Sequence, residues 1–268
     1  MNEIFIQIIL GAIQGITEWL PVSSSGIVTL VNSNFFGITD ISQLLHMALF
    51  LHLGTFLAAL IYFRKDVWSL TKSLFNYKNS TQTTKKTLNF LIIATLISGL
   101  IGFVILKALT SLPETLNITG KIITGFIGVL LLLTGIIQIK VKEKNLKQLR
   151  ELKNSDSILL GFAQGLSSLP GLSRSGITVS TLLLRKFDDT TALRLSFLMS
   201  LPIVILGNIF LNLPDFANII TSASLYGLLA SFIFGFLTIT GLLKLSKKIN
   251  FGWFVLIFAV LMLGSLVI

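Results

Sequence analysis

The sequence predicts an all-α polytopic membrane protein. Its architecture is an inverted repeat, each half a re-entrant helical hairpin followed by three transmembrane helices, with six spans in total. Three observations carry this reading. The 268 residues are 53% hydrophobic and 12% charged, with a mean hydropathy of +0.88, too apolar for a soluble domain of this size. The apolar residues fall in blocks of about 20, the length that crosses about 30 Å of hydrocarbon at about 1.5 Å per residue. One polar motif occurs twice, 150 residues apart.

Taken in chain order, the first block, about 3–36, is interrupted by Pro21 and by Ser23-Ser24-Ser25-Gly26. Proline and glycine stop a helix, and each remaining piece is too short to span, so a re-entrant hairpin is expected. Three uninterrupted blocks follow at roughly 44–63, 88–109 and 120–138. A second interrupted block, about 157–187, breaks at Pro170-Gly171 and Ser173-Arg174-Ser175-Gly176, and three more spans follow at roughly 192–211, 223–243 and 251–268. The segment GAIQGITEWLPVSSSGI from Gly11 aligns without a gap on GFAQGLSSLPGLSRSGI from Gly161. Chance similarity between apolar helices gives Leu and Ile matches, not a shared Gln-Gly followed by Ser-x-Ser-Gly, so the chain is an internal duplication. It is one membrane domain, 1–268, whose repeat halves, about 1–139 and 157–268, are joined by a basic linker.

Three spans is an odd number, so the second half enters the membrane from the opposite face. Charge tests this independently. Arg64, Lys65, Lys72, Lys78, Lys85 and Lys86 fall on one side, with Lys140, Lys142, Lys144, Lys147, Arg150 and Lys153, and then Arg185, Lys186, Arg194, Lys244, Lys247 and Lys248. The other side keeps Lys107 and Lys121. The positive-inside bias makes the first side cytoplasmic and puts both termini outside. The net charge of +10 is therefore a property of membrane connectors, and no nucleic-acid partner is expected. The chain has no cysteine, which excludes disulfides and thiolate metal sites. No cleavable signal peptide is expected, because the first apolar run lacks a basic flank and continues into the polar motif.

Broken helices of an inverted repeat offer unpaired N–H groups and positive dipole ends near the bilayer midplane, which suits an anion. Small Ser and Gly residues let backbone N–H groups approach phosphate oxygens, and Arg174 adds a planar charged fork. The candidate phosphate-binding residues are thus Ser23, Ser25, Gly26, Ser173, Ser175 and Gly176, with Arg174. The bland alternative for a Ser-Gly break is helix packing or a kink. An intramembrane Arg matched by an intramembrane Glu tips the balance to function, because both are costly in hydrocarbon. Glu18 is the single acid within the apolar part of either break, and Gln14, four residues earlier, shares its helical face. Glu18 is a candidate general base, metal ligand or counter-ion of Arg174. With one carboxylate and no clustered His or Asp, any Mg²⁺ or Ca²⁺ would need substrate phosphates as ligands. His46 and His52 lie six residues apart in one span, on different faces, so at most one reaches the site. His52, beside Gly54 and Thr55, is the better placed, against the alternative of a packing histidine.

These residues resemble the undecaprenyl-diphosphatase family, also called bacitracin-resistance proteins. The resemblance covers nearly the whole chain through GITEWLPVSSSG from Gly15, LHLGTFLAALIYFRKD from Leu51, PGLSRSG from Pro170 and SFLMSLPIVILG from Ser196. It implies a membrane enzyme that dephosphorylates a polyprenyl diphosphate carrier lipid, with Glu18, Ser23, Ser24 and Arg174 at motif positions. Two positions depart from the family pattern. Gln14 stands where a first acid is usual, and Ile27 where a histidine is usual. Gln14 can orient a phosphate or a water but cannot act as a base, and Ile27 cannot transfer a proton.

The resulting expectation is hydrolysis of the terminal phosphate, with Glu18, Ser24 and Arg174 as catalytic residues. Ser24 would be the nucleophile, or a ligand beside a nucleophilic water. The alternative is a transporter or flippase for an anionic lipid such as polyprenyl phosphate, because midplane breaks also serve alternating access. A non-catalytic scaffold would not need an intramembrane Arg.

Overall fold

The computed structural model describes residues 2–36, 41–110, 146–169, 172–212, 219–246 and 251–264, with isolated positions between 125 and 139. Regular structure among them is helical, apart from one isolated parallel bridge between Lys147 and Phe187. The helices are α1 (Glu3–Thr17), α2 (Ser24–Phe36), α3 (Ile41–Tyr62), α4 (Arg64–Phe75), α5 (Gln82–Thr110), α6 (Asn154–Leu166), α7 (Arg174–Leu184), α8 (Asp189–Gly207), α9 (Ser222–Leu245) and α10 (Phe251–Gly264). Among the described residues three helical stretches are long and apolar enough to cross a membrane, Gln82–Ile105, Asp189–Phe210 and Ser222–Leu245, or four if His46–Tyr62 and Arg64–Phe75, bent by 83°, form one broken span. The apolar blocks at 44–63 and 251–268 coincide with α3 and with α10, whose last four expected residues lie outside the described set. Most of the block at 120–138, the break residues Pro170 and Gly171, and Lys121, Lys140, Lys142, Lys144, Lys247 and Lys248 also lie outside it.

Both interrupted blocks are helix–break–helix. In the first, the Asn2 side chain accepts the Ile4 N–H at 3.1 Å and starts α1. The helix runs out after Thr17, with Leu20 N–H turning back to the Thr17 carbonyl, and Pro21 has no N–H with which to continue. In the second, the Asp156 carboxylate accepts the Lys153 N–H at 3.0 Å at the start of α6. Ser167 N–H returns to the Gln164 carbonyl beyond its end. Helix α4 occupies a stretch that the sequence reading leaves as a connector. Its short length hides it from a search for spans, although Asp66 in the first turn and Lys72 in the last suit the helix dipole. The block at 192–211 is not a uniform helix: Pro202 lies inside α8, and Asn208–Asn212 form a π-helical segment.

Two compact units divide the chain. One comprises Met1–Phe63 and Ser200–Leu242, the other Arg64–Met199 and Leu243–Ile268. In the first unit, Leu10, Val28 and Leu51 tie α1, α2 and α3 together, with Ile6, Ile13, Val31 and Met47 around them. Helix α1 also presses on α9 through glycine. A Cβ at Gly15 would lie 2.7 Å from the Ser231 carbonyl oxygen and from the Gly235 nitrogen. In the second unit α6 presses on α5 in the same manner, where a Cβ at Gly165 would lie 2.6 Å from that of Ile101. Such contacts suit a lipid environment, where helices gain from close backbone packing rather than from leaving water. Thus each break is held against a long apolar helix by the glycines of the duplicated motif.

Candidate active site

The two copies of the motif build their breaks with the same local device. Ser23 Oγ accepts the Gly26 N–H at 3.3 Å, and the Ile27 N–H bonds to the Ser23 carbonyl. Ser173 Oγ accepts the Gly176 N–H at 3.1 Å, and the Ile177 N–H bonds to the Ser173 carbonyl. Both serines are therefore N-caps of the helix that follows. The two glycine N–H groups, expected from the sequence to face phosphate, are engaged by these caps.

In the first unit three side chains converge on one carboxylate oxygen at the break. Glu18 Oε2 accepts Gln14 Nε2 at 2.9 Å and Ser24 Oγ at 2.8 Å, and His52 Nε2 stands 3.1 Å away. Gln14, Glu18 and Ser24 are all buried. The i to i+4 spacing on α1 brings Gln14 to Glu18, and the break turns the chain back so that Ser24, at the start of α2, reaches the same oxygen. His52 arrives from α3. Its Nδ1 is 2.6 Å from the Ala48 carbonyl oxygen, which only accepts, so Nδ1 carries a hydrogen. His52 Nε2 and Glu18 Oε2 then form a seat for one proton between two acceptors. The Oε1 of Gln14 is buried with no hydrogen-bond partner among the described residues, an acceptor on the side chain that bonds the carboxylate. His46 lies on another face of α3, with Nδ1 2.8 Å from Asn212 Oδ1.

In the second unit the break carries an arginine and a cluster of hydroxyls at the start of α7. Arg174 opens α7, half-buried, and its Nη1 donates to the Ser196 carbonyl at 3.3 Å. Ser173 and Ser175 are buried with their hydroxyls 3.1 Å apart. Thr178 Oγ1 donates to the Arg174 carbonyl at 2.7 Å and lies 2.7 Å from Ser196 Oγ. Thr178 and Ser196 escape the sequence reading, which takes SFLMSLPIVILG as a span. The available signal was the pair of serines, Ser196 and Ser200, in the otherwise apolar stretch 195–207. Ser25 is half-buried, and no hydrogen bond of its hydroxyl occurs among the described residues.

An acid and a histidine poised on a serine, in a chain that also carries a buried serine–arginine motif, is a constellation for phosphoryl chemistry. The family comparison agrees: the sequence model described as bacitracin resistance protein BacA matches residues 7–264. The chain belongs to the BacA family. An undecaprenyl-diphosphatase of Methanococcoides burtonii is 42% identical over 251 residues, covering 92% of each chain. One of Haloarcula marismortui is 35% identical, over 94% of this chain and 93% of the relative. One of Christiangramia forsetii is 32% identical, over 99% and 98%.

As a BacA member, the chain is an integral membrane protein of apolar helices. The two departures from the family pattern acquire a geometry. Gln14 donates to Glu18, so the site holds one carboxylate and one amide where two acids are usual. Ile27 lies one turn into α2, and the imidazole that meets Glu18 comes from His52 instead. Among the described residues no group of three His, Cys, Asp or Glu side chains is assembled as a metal site.

Proposed function

We propose that this chain hydrolyses the terminal phosphate of a polyprenyl, undecaprenyl-type diphosphate lipid, giving the lipid monophosphate and inorganic phosphate. The observation that carries the chemistry is the Ser24 hydroxyl donating to Glu18 at 2.8 Å, with His52 behind the same oxygen. In this reading Glu18 takes the Ser24 proton as Oγ attacks the terminal phosphorus, and that proton settles in the seat shared with His52. The bond to the bridging oxygen breaks, and the electron pair leaves with the lipid monophosphate. Water then attacks the phosphoserine, the stored proton returns to Ser24 Oγ, and phosphate departs carrying both hydrogens of the water.

Phosphoryl transfer depends mostly on positioning and charge neutralisation, which falls here to Arg174, with Ser173, Ser175 and Ser25 as further donors. Gln14 keeps the carboxylate in place. A divalent cation, where one binds, would take Glu18 and the orphan Oε1 of Gln14 as its protein ligands and would neutralise phosphate charge. The flippase alternative has no observation in its favour.

The six-span inverted repeat belongs to the same proposal. It is supported by a reciprocity in the packing. Gly11 and Gly15 of the first motif press on α9, the second expected span of the second half, while Gly161 and Gly165 press on α5, the second expected span of the first half. The sorting of Lys and Arg supports cytoplasmic basic connectors and external termini. The deciding experiment incubates the purified protein with undecaprenyl diphosphate and measures released phosphate. Release that disappears in Ser24→Ala and in Arg174→Ala is expected; headgroup-dependent lipid translocation in liposomes without any release would replace this reading by transport.

A further inference from the structure

Helix α4 has no part in either motif, yet its two faces differ sharply. The inward face is tied to its own unit: Asp66 pairs with Arg194 of α8, Ser73 is fully buried, and Leu70 lines a cleft with Thr83, Thr84 and Thr87. Those threonines are the polar opening turns of α5, before its apolar run begins at Leu88. The contact therefore sets α4 at the level where the α5 span leaves hydrocarbon.

The outward face carries Trp68 and Phe75, 63% and 88% exposed, with Leu74 and Tyr77 exposed beside them. Around these apolar groups stand Arg64, Lys65, Lys72 and Lys78, all exposed. Lys72 Nζ lies over the Trp68 ring, 5.0 Å from its centroid. The single acid from Arg64 to Thr87 is Asp66, and its charge is turned inward to Arg194. A purely solvated basic helix would not display two large aromatic side chains, and a lipid-buried one would not display four cations. Aromatic rings ringed by lysine at the end of a span match the headgroup layer.

We infer that the outer face of α4 is a binding surface for anionic phospholipid headgroups of the leaflet on that side, with Trp68 and Phe75 inserted and Lys65 and Lys72 pairing with phosphates. Charge complementarity selects the anionic class, because an inserted aromatic face alone would accept zwitterionic lipid equally.

The test uses the full chain in nanodiscs, which leave both faces accessible. Subtracting the emission of Trp68→Phe from that of the wild type isolates Trp68. Lipid brominated just below the headgroup is expected to quench it, and aqueous acrylamide to leave it largely protected. Brominated phosphatidylglycerol should quench more strongly than brominated phosphatidylcholine at equal mole fraction. That preference should fall about fivefold for each charge removed in Lys65→Gln and Lys72→Gln, and high salt should weaken it in the wild type. Equal quenching by the two headgroups overturns the proposal, as does free access of acrylamide. Should a charge variant fail to fold, the salt titration of the wild type decides in its place: a headgroup preference that high salt leaves unchanged overturns the proposal. Retained phosphate release by Trp68→Phe certifies that the reference protein is intact.

Discussion

The two breaks share one sequence motif but carry different polar side chains. Backbone, caps and packing are shared: Ser23 and Ser173 cap the following helix, and the paired glycines 11 and 15, or 161 and 165, press on a long helix of the same unit. Among the positions that differ, two bear on the proposed chemistry. Where the first copy has Glu18 and Ser24, the second has Ser168 and Arg174. In the proposed reading the acid serves as base and the hydroxyl facing it as nucleophile, and the arginine of the second copy serves to hold the anion. The two copies thus share caps and glycine packing, while the side chains that the proposed chemistry uses differ between them. The second copy of the glutamine also shows what the frame does without the acid: Gln164 Nε2 donates to Ser98 Oγ at 3.0 Å, a packing bond between α6 and α5.

The largest expected effect comes from removing the acid that distinguishes the first copy. Glu18→Gln keeps the shape and the hydrogen bonds but cannot take the Ser24 proton, and phosphate release should fall by about 10³-fold. Ser168→Ala, at the aligned position of the other copy, should leave release within a few-fold of normal. Similar losses in both variants would mean that the breaks are not chemically divided. Arg174→Lys comes next, at about 10²-fold, because a point charge replaces a planar fork that donates in two directions. Since Arg174 is assigned to phosphate, its loss should appear in KM as well as kcat, while that of Glu18 should appear in kcat.

His52→Gln is expected to cost about tenfold, less than Glu18→Gln, because it removes one end of the proton seat and leaves the carboxylate in place. A change in the pH profile of kcat is the signature to look for, since the wild-type profile reports the Glu18–His52 pair as a unit. An unchanged profile with a uniformly lower rate would reduce His52 to a packing residue hydrogen-bonded to Ala48.

Much of this was legible in the sequence because it rests on local rules. Pro21 marks the break after α1, Gln14 and Glu18 share a face by helical spacing, and the gapless repeat announces two equivalent breaks. What spacing cannot give is the partner from a distant element. A separation of six positions puts His46 and His52 on different faces, but only the packing of α3 against α1 decides which one meets Glu18. The caps were hidden for another reason. A serine three residues before a glycine reads equally as a phosphate cradle or as an N-cap, and the choice depends on backbone geometry that composition does not carry. Helix α4 was missed because a 12-residue amphipathic helix has neither the length of a span nor the polarity of a loop.

The smallest expected effect tests how the second copy holds its arginine. Arg174 Nη1 bonds to the backbone carbonyl of Ser196, while the Ser196 hydroxyl pairs with Thr178, which in turn bonds to the Arg174 carbonyl. Ser196→Ala removes the hydroxyl and leaves the carbonyl where it is. The buried Thr178 hydroxyl keeps its bond to Arg174, so the cost should be about 1 kcal/mol of stability, read as a lowered unfolding temperature in detergent. KM for the diphosphate should rise by no more than a few-fold. A large rise in KM at unchanged stability would instead place the Ser196 hydroxyl on the substrate, and the second break would then hold phosphate with α8 as well as with its own motif.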